Sequence, residues 1–155
     1  MGNGIFDQPR KRTAAGALFT DGAGRVLLVN PTYKPQWEVT GGIVEENEAP
    51  SQAAQREVFE EIGLRIQPSR LLSLDYRPAS PGRNDLLRFI FWGGALSEEE
   101  TAQIRLPADE LSEWGFFTLE EARERLTPSL SKVVAGCLEI LAGDGRKFQY
   151  IEHAE

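Results

Sequence analysis

Three glutamates in the segment APSQAAQREVFEEIGL have the spacing of one helix face. Pro50 lacks a backbone N–H and suits the first turn of a helix. From there SQAAQREVFEEI contains no internal glycine or proline and is rich in strong helix formers. Gly63 follows as the residue able to close the helix in a left-handed conformation. At about 100° per residue, Glu57 and Glu61 stand one turn apart on the same side, and Glu60 lies roughly 60° to the side of Glu57. Ala53 falls in that stripe and leaves room beside it. Ala54, Val58 and Ile62 form the adjoining stripe, which reads as core-facing. Like charges so spaced destabilise an isolated helix by a few tenths of a kcal/mol, so the trio points to a bound cation. Hard carboxylate oxygens suit Mg²⁺, which keeps several waters and is shared with substrate phosphates; Mn²⁺ suits similar ligands. A metal there would neutralise a pyrophosphate, act as a Lewis acid at phosphorus and lower the pKa of an attacking water. Chemistry of this kind rests on positioning and charge stabilisation. The plainer reading of the trio is a solvated acidic helix face.

Arg56 lies four residues before Glu60 and can steady its carboxylate. Gly41 and Gly42 precede the helix, and glycine lets backbone approach a ligand closely. Taken from Gly42, the residues Gly42, Glu48, Arg56, Glu57, Val58, Glu60, Glu61, Gly63 and Leu64 fill G-x5-E-x7-R-E-U-x-E-E-x-G-U, with U a bulky aliphatic. This run resembles a complete Nudix box. The resemblance implies an α/β fold, an α/β/α sandwich with a mixed central sheet. It also implies hydrolysis of a nucleoside diphosphate linked to another moiety, with Mg²⁺ or Mn²⁺ as cofactor. Carried over by motif position, the catalytic residues are Arg56, Glu57, Glu60 and Glu61. The metal ligands are Glu57, Glu60 and Glu61 with the carbonyl of Gly41, while Glu48 supports the loop–helix geometry. The alternative is a nucleotide-binding regulatory Nudix domain without hydrolysis. Thr40 stands where the family commonly has proline; lacking proline's fixed φ, it predicts a slightly less rigid loop.

Three further segments are expected to shape the pocket. Tyr33 and Trp37 lie on the loop entering the box, where an aromatic face can stack on a base, although Trp37 also reads as a packing residue. The loop RPASPGRND and the strand after it offer Arg77, Arg83 and Arg88, whose guanidinium forks match phosphate oxygens; each alone reads as a surface charge. Family resemblance draws a further glutamate from the region SEEETAQIRLPADELSE, where Glu98, Glu99, Glu100 and Glu110 are the candidates for metal ligand or general base. EEE reads more readily as an exposed acidic loop. The downstream residues do not separate the substrate classes: nucleoside triphosphate, oxidised nucleotide, ADP-ribose or NDP-sugar.

The 155 residues, 41% hydrophobic and 26% charged, fit one domain, assigned to residues 13–155 after a tail of 1–12. No apolar run is long enough to span a membrane, and MGNGIFDQPRKR lacks the apolar segment of a signal peptide, so a cytoplasmic location is expected. Arg10-Lys11-Arg12 reads as a solvated tail. A net charge of −7 disfavours bulk nucleic acid, leaving a small nucleotide as substrate. Cys137, the single cysteine, reads as a core residue, and His153 as tail. Expected elements are strands at Thr13–Phe19, Arg25–Asn30 (its hairpin partner), Leu71–Tyr76, Leu86–Trp92 and Trp114–Phe117. A short helix starts at a Thr118–Glu121 capping box, and a last helix runs from Pro128 to about Leu141. Phe148–Ile151 reads as a terminal strand or an ordered tail. The resemblance allows a homodimer, with Phe89, Phe91 and Trp92 serving an interface or the core.

Overall fold

In strand β1 (Arg12–Thr20) the side chains alternate between two buried layers, as the period of two requires. Ala17 and Phe19 pack with Val58 and Ile62 on one side, and Leu18 packs with Val133, Val134, Cys137 and Ile140 on the other. The computed structural model describes residues 8–68, 70–107 and 109–154; the first seven residues of the expected tail lie outside them. After β1 come β2 (Val26–Pro31), β3 (Thr40–Ile43), α1 (Pro50–Ile62), β4 (Leu71–Arg77) and β5 (Leu86–Ala95). They are followed by α2 (Glu98–Thr101), β6 (Leu111–Phe117), α3 (Leu119–Arg125), α4 (Pro128–Leu141) and β7 (Gln149–Glu152).

The sheet runs β6-β2-β1-β5-β4-β7, with β3 added alongside β1. It is mixed: β1 with β5 and β4 with β7 are parallel, the other pairs antiparallel. Helix α1 covers the face of Ala15, Ala17 and Phe19, while α3 and α4 cover the face of Leu18, Leu28 and Ile90. The expected α/β/α sandwich is therefore the fold that forms. Phe89 and Phe91 pack under α1 and Trp92 against the α3–α4 layer.

The structure departs from expectation in the pairing of β2. The hairpin survives at its base, where Asp21 accepts from the N–H groups of Ala23 and Arg25 at 2.9 Å and Thr20 pairs with Val26. Beyond that point β2 pairs with β6, and β3 takes its place beside β1, from Ala14 opposite Ile43 to Ala17 opposite Thr40. Two glycines permit this. A Cβ on Gly16 would come 2.1 Å from the Thr40 carbonyl oxygen, and one on Gly41 would come 2.7 Å from Ala15 O.

Residues 11–12 and 149–153 are tied down more than their composition suggests. Lys11 pairs with Asp85, and Arg12 donates from Nη2 to the carbonyl of Asn84 at 2.6 Å. At the other end β7 is a true strand. His153 Nε2 lies 2.8 Å from Oδ2 of buried Asp75, and its N–H bonds the carbonyl of Tyr76 at 2.9 Å; it is not a free tail.

Candidate active site

Helix α1 forms as its sequence dictates. Pro50 opens it, and Gly63, at φ 74°, closes it with its N–H on Phe59 O. Ala53, Ala54, Val58 and Ile62 are fully buried, and Glu61 retains 8% of its surface. The stripe of glutamates is seated against β3. Gly41 N–H donates to Glu61 Oε1 at 2.6 Å. A Cβ on Gly42 would lie 2.4 Å from the carboxyl carbon of Glu57, so any larger residue there would push that carboxylate out of this position. The buried hydroxyl of Thr40 donates to Ala17 O at 2.9 Å, anchoring β3 by a bond that proline cannot make.

Arg56 is the hub of the box. Its Nε and Nη2 grip the two oxygens of Glu48 at 2.8 and 3.0 Å, a bidentate geometry that lysine lacks. Nη1 reaches Glu57 at 2.8 Å and Glu60 at 3.3 Å, and Nη2 also donates to Ile43 O at 3.1 Å. Glu48 in turn accepts from the N–H of Glu45 at 3.0 Å. One guanidinium thus ties the 43–48 loop to the helix, and its expected pairing with Glu60 is the longest of its bonds to these three glutamates. Hydrogen bonds from Arg56 and from the Glu45 N–H hold Glu48 down to about 2.

Of the remaining carboxylates, Glu57 and Glu60 share one Arg56 nitrogen, and Glu61 has only a backbone N–H. Burial pushes Glu61 up to about 8; the Gly41 N–H opposes this, and the charges of Glu57, Glu38 and Glu110 add to it. Glu57 is raised by burial too, against the pull of Arg56. Glu60 is half exposed. Among the described residues no three acidic, histidine or cysteine side chains converge as a ready-made cation cage. Glu57 is turned to Arg56 and Glu61 to a backbone N–H. The donor set nevertheless fits a hard divalent cation: carboxylate oxygens on one helix face beside a glycine backbone, carrying negative charge that burial makes costly.

The other candidates separate. Tyr33 is 72% exposed and sits at the mouth of this cluster; burial and then the charges of Glu38, Glu61, Glu110 and Glu57 raise its hydroxyl. Glu110, just ahead of β6, belongs to the same neighbourhood. Glu38 does too, a residue not picked out from the sequence; its signal was alternation with buried Val39, which turns it to the opposite side. Glu100 instead caps α2, accepting from Ser97 N–H at 3.1 Å, with Glu98 and Glu99 exposed in the same turn. Trp37 packs edge-on against Phe117 at 5.1 Å. Arg83 is exposed in a turn bonded through its backbone to Ser80. Arg88 is committed to Asp75 by two bonds of 3.0 and 2.7 Å. A groove of about 760 Å³ between α4 and β7 lies on the far face of the sheet and holds none of these glutamates.

A NUDIX domain model matches residues 10–137. Diphosphoinositol polyphosphate phosphohydrolase 2 of Rattus norvegicus is 42% identical over 66 residues, which make up 42% of this chain and 37% of that protein. A MutT-like protein of Streptomyces ambofaciens is 33% identical over 96 residues, 58% of this chain and 60% of that one. The chain thus matches less than two-thirds of either relative's length. A NUDIX hydrolase structure from Nitrosomonas europaea superposes with a TM-score of 0.75 at 17% identity, covering 96% of this chain and 81% of that one, a likeness of fold. Because the domain match runs from ahead of β1 into α4 and takes in the whole glutamate motif with its glycines, this chain belongs to the NUDIX domain family.

Proposed function

We propose that the chain hydrolyses a pyrophosphate bond in a nucleoside diphosphate derivative with the help of Mg²⁺ or Mn²⁺. The observation that carries this reading is the seating of two α1 carboxylates against the β3 glycines, half-buried Glu57 beside Gly42 and buried Glu61 on the Gly41 N–H, with Glu61 in no ion pair among the described residues. Glu57, Glu60 and Glu61, with the Gly41 carbonyl, would hold the metal. A divalent ion there would supply charge neutralisation of the pyrophosphate, Lewis-acid polarisation at phosphorus and activation of the attacking water. The chain's own groups do the rest. Arg56 fixes the loop and keeps Glu57 aimed; Gly41 N–H orients Glu61; and the carboxylates, with Glu110 at their edge, supply a base for the attacking water. Tyr33 offers an exposed ring on which a base can stack. The diphosphoinositol polyphosphate relative supports a substrate bearing a phosphoanhydride and does not fix the remainder of the molecule.

The test is release of phosphate and nucleoside monophosphate from nucleoside triphosphates, 8-oxo-dGTP, ADP-ribose, dinucleoside polyphosphates and NDP-sugars, with and without each metal. Metal-dependent turnover of one class is expected. Glu60→Gln and Glu61→Gln should keep the fold and lower kcat by at least roughly 10²-fold, the scale of losing one preorganised electrostatic contact. Unchanged turnover in both variants would remove the assigned roles. Nucleotide-dependent rises in Tm without any turnover would point to a binding domain instead.

A further inference from the structure

Strand β7 bonds β4 on one side, and among the described residues no strand pairs with its other side. The ladder is parallel, and the His153 N–H on Tyr76 O fixes its phase. In such a ladder alternate residues turn N–H and C=O toward the same neighbour. Gln149, Ile151 and His153 therefore address β4, while the backbone N–H and C=O of Tyr150 and Glu152 address the open edge. Edge groups of this kind template a further strand, and β7 has neither a proline nor a bulge to block one. The two faces of the edge differ in chemistry. Gln149 reaches into α4, donating to Val133 O at 2.9 Å, and a Cβ on Gly136 would lie 1.8 Å from Gln149 Oε1. Helix and strand thus meet at the floor of the groove of about 760 Å³ between them. Its charged lining is Arg123, Lys132, Arg146 and Glu139. Arg146 is spent on Glu139 and Asp144. Arg123 and Lys132 are exposed and enter no ion pair among the described residues. Phe148 and Tyr150, on either side of Gln149, turn to the opposite face and are 53% and 54% exposed.

We infer that this edge takes up an extended acidic segment of a protein partner as an added strand beside β7. The outward N–H and C=O groups of Tyr150 and Glu152 would bond its backbone, and its side chains would alternate between the two faces. Acidic side chains on the α4 face meet Arg123 and Lys132. The intervening apolar ones lie beside Phe148 and Tyr150, on the face where Glu152, which accepts from the Tyr150 hydroxyl at 2.7 Å, disfavours a second acid. Charge decides the occupant. In a chain of net charge −7, a rim whose unpaired groups are cationic selects an acidic partner. A second copy of this chain fits worse, because a two-fold pairing of β7 edges presents the same patch on both subunits and sets the two basic rims against each other. No residue of the glutamate motif lines this groove, so docking there stands apart from the hydrolase reading.

Fluorescence anisotropy tests this with labelled octapeptides: alternating Glu–Val, alternating Lys–Val, and Glu–Val with every amide N-methylated, which keeps the charges and removes the N–H donors. The plain Glu–Val peptide is expected to bind, and the other two to bind at least about 10-fold more weakly. Lys132→Glu should weaken the Glu–Val complex about 10-fold, the scale of losing one charged hydrogen bond, while Arg83→Glu, the same charge change on a distant turn, leaves it unaltered. Tyr150→Pro removes the outward N–H at a position where an edge strand tolerates proline and should weaken binding as well; Tm values report whether each variant folds. No binding of the Glu–Val peptide, equal binding of the Lys–Val peptide, or undiminished binding after N-methylation would each overturn the inference, as would equal weakening by Lys132→Glu and Arg83→Glu. Sedimentation equilibrium of the protein alone should give a monomer. A dimer that Tyr150→Pro dissociates would assign the edge to a second copy and overturn the acidic partner.

Discussion

Glu61 shows how the site stores electrostatic cost in single residues. Its carboxyl is nearly fully buried, receives one N–H from Gly41, and is pushed from an ordinary 4.5 to about 8 by burial first and neighbouring carboxylates second. In the metal-free protein this makes a definite stability prediction. Between pH 4.5 and 8 the unfolded chain has released this proton and the folded chain still holds it, so stability falls as pH rises. The contribution is fully present below the unfolded pKa and lost as pH passes the folded one. It is on the order of 5 kcal/mol, which at about 2–4 °C per kcal/mol for a chain of this size is roughly 10 °C or more of Tm. Melting curves in EDTA should therefore show wild-type Tm dropping between pH 5 and 8.5 by about 10 °C more than that of Glu61→Gln, which has no proton to lose. Parallel pH profiles for the two proteins would show that Glu61 ionises normally. Cys137, by contrast, is pushed to about 12 by burial and stays a packing residue.

At the scale of elements, the active edge depends on how closely β1, β3 and α1 approach. Gly16→Ala would set a Cβ 2.1 Å from the Thr40 carbonyl, and a backbone atom cannot swing aside. The strands must separate, at a cost of about 1–3 kcal/mol or more, and the Gly41 N–H that orients Glu61 moves with them. Thermal melts and kcat should fall together; an unaltered Tm would mean that β3 is not held where the register puts it. Arg56→Lys tests the other tie. It keeps the charge but not the fork that holds both Glu48 oxygens, so a marked loss of kcat with most of the fold retained is expected, and full activity would rule out the hub. Both sites bear on what the sequence disclosed. The helix, its caps and its glutamate face were legible because period, proline and glycine act locally. The Thr118–Glu121 box was legible too, and it forms with Glu121 accepting from Thr118 N–H at 2.9 Å. The seat of the stripe was not. That β2 leaves β1 for β6, that Thr40 anchors β3 through its hydroxyl, and that Glu38 joins Glu110 near the carboxylates all depend on contacts between residues distant in sequence. No local pattern encodes them, apart from the alternation with Val39 that turns Glu38 to the side of the site.

On the scale of the whole molecule, one buried ion pair joins the sheet's far edge to its centre. Asp75 on β4 is 1% exposed; it takes two bonds from Arg88 on β5 and meets His153, just past β7. A second polar tie runs parallel to it, since the Gln149 amide donates to Ser73 Oγ at 3.1 Å and to Val133 O at 2.9 Å, joining β7 to both β4 and α4. These contacts explain why a four-residue strand at the end of the chain is ordered at all, where composition left it open between strand and tail. They also set a test of how the fold is held. Removing one member of a buried pair strands its partner's charge, typically a loss of 3–5 kcal/mol, whereas exchanging both for apolar side chains of similar volume is often nearly neutral. Asp75→Asn alone should therefore lower the unfolding free energy by about 3 kcal/mol or more, read as a shift in urea midpoint at unchanged m. The double variant Asp75→Leu/Arg88→Met should be more stable than Asp75→Asn, with His153's lost partner accounting for part of any remaining deficit. If the double variant is the less stable of the two, the pair contributes net binding energy between strands rather than mutual neutralisation, and the edge would be held chiefly by electrostatics.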